Sequence, residues 1–147
     1  MKLKKQLQND LKDAMRAKDD QRKNTIRMAL AAIKNTEIDR GHELEDSEVQ
    51  VILQKEVKSR REAMEDAEQA QRPDIVANNA AEIEILVAYL PKQLTPDEIE
   101  VLAREAIDEV GATSAREIGQ VMIVLMPRVR GQADGKEVNQ IVRQLLV

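Results

Sequence analysis

The sequence predicts an all-α protein: an N-terminal bundle of about four helices, residues 1–93, joined to a small C-terminal three-helix domain, residues 94–147. Three observations predict it. Apolar residues recur at helical spacing while strand alternation is missing, Gly and Pro fall at the ends of the periodic stretches, and Ser/Thr/Asp residues followed by Glu or Gln three positions on stand at several of the starts. A chain of 147 residues with a 42% hydrophobic fraction can bury a modest core.

Leu3, Leu7, Leu11 and Met15 recur every four residues and give the first helix one apolar stripe, which ends near the AKDD turn. A second helix follows Asp19 or Asp20, with Ile26, Ala29, Leu30 and Ile33 inward, until Gly41 stops it. Ser47 with Gln50 is expected to open the third, whose seam is Val49, Ile52, Leu53, Val57, Met64 and Ala67. Pro73 breaks that pattern, because an interior proline removes a hydrogen bond and clashes with the preceding turn, so Asp74–Leu90 becomes a fourth helix.

The segment YLPKQLTPDE marks the domain boundary. Pro91 drives the residue before it out of helical geometry; Thr95 then caps, Pro96 takes the first helical position and Glu98 completes a capping box. Ile99, Leu102, Ala103, Ala106 and Ile107 form the stripe of this helix, and Gly111 ends it. Ser114 with Glu117 is expected to open the next, closed by Pro127, and Asp134 with Glu137 the last, with Val138, Ile141, Val142 and Leu145 inward.

Composition excludes more than it suggests. No cysteine is present and His42 is the only histidine, so there is no disulfide framework, no thiolate nucleophile and no His/Cys metal cluster, and no metal or cofactor is expected. Phosphate-loop, dinucleotide, zinc-hydrolase and nucleophile-elbow motifs do not occur. No catalytic residue is therefore assigned. No apolar run approaches the roughly 20 residues that span a bilayer, and MKLKKQLQND lacks a secretory apolar region, from which a cytoplasmic protein with no membrane partner is expected. Tyr89 is the sole aromatic residue, so gripping single strands by base stacking is poorly equipped.

Charge is unevenly distributed. Against a net charge of −4, residues 1–30 hold nine Lys or Arg and four Asp, and residues 37–68 hold eleven Asp or Glu. In the last 28 residues Arg128, Arg130, Lys136 and Arg143 face only Asp134 and Glu137, a local excess that matters within a Debye length of ~8 Å. Gly131 and Gly135 relax the backbone between these cations, a pattern suited to an anion or to a tight helix-to-helix turn. Glu56, between Ile52 and Arg60 on the third helix, reads as a partner for Arg27 or Arg60.

At AMRAKDDQRKNTIRMALAAIKNTEI, EIEILVAYLPKQLTPDEI and IGQVMIVLMPRVRGQADGKEVNQIVRQLL the chain resembles the YqeY family along its length. The last segment is also similar to the tail domain of the B subunit of the tRNA-dependent amidotransferase (GatB). The resemblance implies a tail-like module that holds tRNA without the amidotransferase catalytic domain. Arg128, Arg130, Gly131, Lys136, Asn139 and Arg143 become the nucleic-acid-binding candidates, cations fixing register on phosphates and an amide reading a sugar or base edge. Gln132 stands where that pattern often has a base. The expected partner is tRNA or a tRNA-modifying or aminoacylation complex. The alternatives are a helical protein-interaction module built on KEVKSRREAMEDAEQAQ, and a carbon–nitrogen ligase using glutamine as amide donor, the latter by family relationship only. Nothing in the pattern sets an oligomeric state.

Overall fold

In a computed structural model describing residues 2–147 the chain is all-α. Among the described residues there are seven α-helices and no strand: α1 Lys2–Arg16, α2 Asp20–Arg40, α3 Asp46–Gln69, α4 Pro73–Val87, α5 Pro96–Val110, α6 Ile118–Val129 and α7 Gly135–Leu145, with a 3-10 turn at Ala115–Glu117 before α6. The chain divides into two compact units, Met1–Leu90 and Pro91–Val147. Helices α1–α4 fall in the first and α5–α7 in the second.

The first unit packs around Leu7, Ile26, Ile33, Leu44, Val49, Leu53 and Leu86. On α1 the stripe turns to Ala14, which is fully buried, while Met15 is 48% exposed. A strict four-residue step runs ahead of the 3.6-residue turn, so after three steps the position one residue earlier faces the core. Asp19 caps α2 by accepting from Arg22 N, and Gly41 ends it at φ +74° with its N–H on Glu37 O.

The start of α3 differs from expectation. Glu45 rather than Ser47 is the N-cap, and its N–H donates to Glu48 Oε1 at 3.2 Å. Leu44, fully buried, fixes where the chain enters, and the cap follows directly after it. Helix α4 ends at Val87, short of Leu90; Tyr89 N and Leu90 N donate three residues back, to Leu86 O at 3.1 Å and Val87 O at 3.0 Å, a tightened last turn that leads into Pro91.

The second unit has its own core of Ile99, Ala103, Ala106, Val121, Leu125, Val129, Val138 and Val142. Thr95 caps α5 as expected, accepting from Glu98 N at 3.2 Å while its own N–H donates to Glu98 Oε1 at 3.1 Å. Gly111 ends it in the left-handed conformation.

Three expectations fail in this unit. Ser114 makes no side-chain cap; Glu117 Oε1 instead accepts from Thr113 N at 3.4 Å and from Thr113 Oγ1 at 3.3 Å. Pro127 does not close α6, which runs on to Val129. Pro127 is exposed, and Ile123, whose carbonyl loses its helical donor, is 77% exposed. Water can satisfy that carbonyl, so the proline costs less here than on a buried face. The last helix opens at Asp134, which is the N-cap in extended geometry but forms no capping box with Glu137.

Candidate nucleic-acid interface

The loop between α6 and α7 is held by its own backbone. Gly131 is buried with φ +80°, a left-handed geometry that favours glycine. Its carbonyl accepts from Gln93 Nε2 at 2.9 Å, and Leu94 N donates to Gln132 O at 2.8 Å. Residues 93 and 94 thus clamp the turn. Gly131 shapes the site from inside and offers no surface to a ligand.

The four cations separate into two kinds. Arg128, near the end of α6, donates from Nη2 to Glu109 Oε2 on α5 at 2.6 Å. This hydrogen bond raises the Arg128 pKa, with attraction from Glu109 and Glu105 adding to it, and it likewise holds the Glu109 carboxyl below its ordinary value. Arg130, Lys136 and Arg143 are exposed, and none makes an ion pair among the described residues.

Helical spacing gathers part of this set. Lys136 and Arg143 lie seven residues apart on α7, nearly two turns, with the half-buried Asn139 between them. Lys136 and Arg143 lie on the solvent side, turned away from the buried Val138, whereas Asn139, three residues from the buried Val142, sits at the margin of the core side. Arg130 is the C-cap of α6 and stands outside that stripe. The site set therefore comprises an outward cation pair on α7, a free arginine at the loop, and Arg128 turned toward α5.

Most carboxylates of the unit occupy another helix, although Glu137 lies in the first turn of α7 and Asp134 caps it. Asp97, Glu98, Glu100, Glu105, Asp108 and Glu109 all belong to α5, which carries Arg104 as its single base. The unit is electrically two-sided along its chain. Such an arrangement can orient a polyanion toward α7 and away from α5. Among the described residues no group of three or more His, Cys, Asp or Glu could hold a metal ion, and no helix is long and apolar enough to cross a membrane.

Sequence reasoning did not anticipate Glu109, nineteen residues from Arg128. It carried no local signal, because i,i+3 and i,i+4 arithmetic reaches only along one helix. Glu56 does pair with Arg60, at 2.8 Å, but Glu82 from α4 completes the arrangement at 2.7 Å. Arg27, the other candidate partner, is exposed.

The family model described as Yqey-like protein matches residues 4–146. Curated relatives carry the name "Altered inheritance of mitochondria protein 41, mitochondrial". The protein of that name from Lachancea thermotolerans is 39% identical over 99 residues, covering 67% of this chain and 53% of the relative. That from Pyrenophora tritici-repentis is 32% identical over 145 residues, covering 95% and 78%, and that from Eremothecium gossypii is 42% identical over 85 residues, covering 57% and 46%. The chain spans about half the length of the first and third of these. Their names correct the cytoplasmic expectation, since the similar proteins are mitochondrial ones. That expectation rested on missing apolar runs, which bear on bilayer spanning and secretion; mitochondrial import uses amphipathic, basic segments and leaves no such mark.

Proposed function

The chain belongs to the Yqey-like protein family, and we propose that it is a noncatalytic accessory that binds tRNA, or a complex that handles tRNA, through its last three helices. The observation that carries this reading is the pair of exposed cations Lys136 and Arg143 on α7, with Asn139 on the same helix and Arg130 at the end of α6, the three cations having no carboxylate partner among the described residues. Cations of this kind contact phosphates, and a neighbouring amide can reach a sugar or base edge. The similarity of this segment to the amidotransferase tail supports the same partner.

A folded RNA suits the site better than a single strand. Tyr89 is the only aromatic side chain and is engaged with Asp10 within the first unit, so no stacking platform accompanies the cations. Binding by about four phosphate contacts gives a salt slope on the order of −3. Arg128, held by Glu109, contributes less than its place in the motif implies.

The test is fluorescence anisotropy of labelled unfractionated tRNA with the full chain. Substituting Arg130, Lys136 and Arg143 together by Ala is expected to lower affinity by more than about tenfold. Affinity that does not depend on salt, or survives all three substitutions, would overturn the proposal.

A further inference from the structure

The cations of the first thirty residues are not equivalent. Lys4 donates to Glu37 at 2.8 Å, Arg22 lies 3.7 Å from Asp10 and Lys23 lies 3.3 Å from Asp20. Lys5, Lys12 and Arg16 on α1 are exposed, and none makes an ion pair or hydrogen bond among the described residues.

These three align. On a helix Lys5 and Lys12 differ by seven positions and Lys12 and Arg16 by four, so all fall on one side, with Asn9 between them. That side is opposite Leu3, Leu7 and Ala14, which are buried in the core. Lys2–Asn9 contains no carboxylate. Of the two acids on α1, Asp10 is taken by Tyr89 and Arg22. Asp13 borders Lys12 along the chain and Glu43 lines the cleft beside Lys5, but neither pairs with the ridge.

We infer that the Lys5–Lys12–Arg16 ridge of α1, with Asn9, is a second docking surface for the phosphate backbone of folded RNA, carried by the first unit in addition to the α7 cations of the second. The inference rests on the reading of RNA as the partner. The eleven helical steps from Lys5 to Arg16 rise about 16 Å, which spans roughly five phosphates along one strand at ~3.4 Å each. Charge complementarity is thus matched by length. A lipid surface fits less well, because an interfacial helix must lay its apolar side into the bilayer, and here that side is packed into the core. An acidic protein segment shares the charge but not the dependence on polymer phosphate.

The experiment uses the full chain and labelled unfractionated tRNA, comparing Lys5→Ala/Lys12→Ala/Arg16→Ala with Arg130→Ala/Lys136→Ala/Arg143→Ala and with Lys23→Ala as the paired control, each checked for helical content. The α1 triple is expected to weaken binding about tenfold and to flatten by about two a salt slope that, with both surfaces engaged, is steeper than the C-terminal contacts alone give, with Lys23→Ala unchanged. An α1 triple with native affinity and slope, while the α7 triple loses binding, overturns this inference and leaves the proposed function standing. Loss in the α1 triple alone supports the inference and overturns the assignment to the last three helices. Absence of binding by the unsubstituted chain overturns both. Vesicles containing anionic phosphatidylserine that compete as well as RNA would also overturn the inference.

Discussion

Arg60 on α3 and Glu82 on α4 are joined across the helix pair, Arg60 Nε donating to Glu82 Oε2 at 2.7 Å. Arg60 Nη1 donates to Glu56 Oε2 at 2.8 Å and to Glu56 O at 3.1 Å, and the residue is only 6% exposed. Burial opposes the guanidinium charge, and the two carboxylates outweigh it, raising the Arg60 pKa. Arg60→Ala should therefore destabilise the first unit by about 2–4 kcal/mol, because Glu82 is left beside the core without its cation. Arg60→Met should recover part of the loss by refilling the volume. Urea denaturation followed by helical circular dichroism checks both, and an Arg60→Ala protein as stable as the parent would contradict this account.

Tyr89 donates its hydroxyl proton to Asp10. Burial, then the hydrogen bond and charge of Asp10, push the phenol from 10.0 up to about 12, with Arg22 opposing. A raised folded pKa means the contribution is complete below the unfolded value and is lost as pH climbs through the folded one. Stability of the first unit should fall across about pH 10 to 12, and Tyr89→Phe should remove that part of the decline. As no other tyrosine is present, phenolate absorbance reports Tyr89 alone; titration near the ordinary value would count against the buried bond.

Thr95 and Ser114 looked equivalent as caps, yet only Thr95 accepts from the amide three residues on. Thr95→Ala should cost about 1 kcal/mol. Ser114→Ala should stay within about 0.5 kcal/mol. Thermal melts of the two variants decide it, and equal losses would mean that Ser114 caps after all.

Glu109 restrains Arg128 through an exposed pair at 2.6 Å. Its depressed pKa makes the pair's contribution present above the ordinary carboxylate value of 4.5 and lost as pH falls through the folded one. Carbon-13 titration of Glu109 should show the depression in the parent and its relief in Arg128→Ala. Glu109→Gln frees the guanidinium, so tRNA affinity should rise on the order of a few-fold. No gain in a variant whose Arg128 is demonstrably released would remove Arg128 from the contact set.

Much of the helical plan was readable in order. Gly41, Thr95, Pro96 and Gly111 act where their backbone preferences place them, since a cap or a left-handed stop depends on three or four consecutive residues. Errors arose where a local rule had a competitor. Pro127 reads as a stop because an interior proline removes a helical hydrogen bond, whereas its exposure makes it tolerable. Ser47 lost to Glu45 because the buried Leu44 sets where the chain enters α3.

For the site, sequence identified the cations of the C-terminal segment and the inward Val138, Ile141, Val142 and Leu145 of α7, because that periodicity lies within a single helix. It did not separate Arg128 from Arg130, two residues apart, or expose Gly131 as an interior residue. Partnership between helices depends on which faces pack. Local periodicity alone established the helices and the solvent side of α7; only folding brought α5 against α6, which fixed which positive charges were paired with carboxylates and which were left exposed and unpaired.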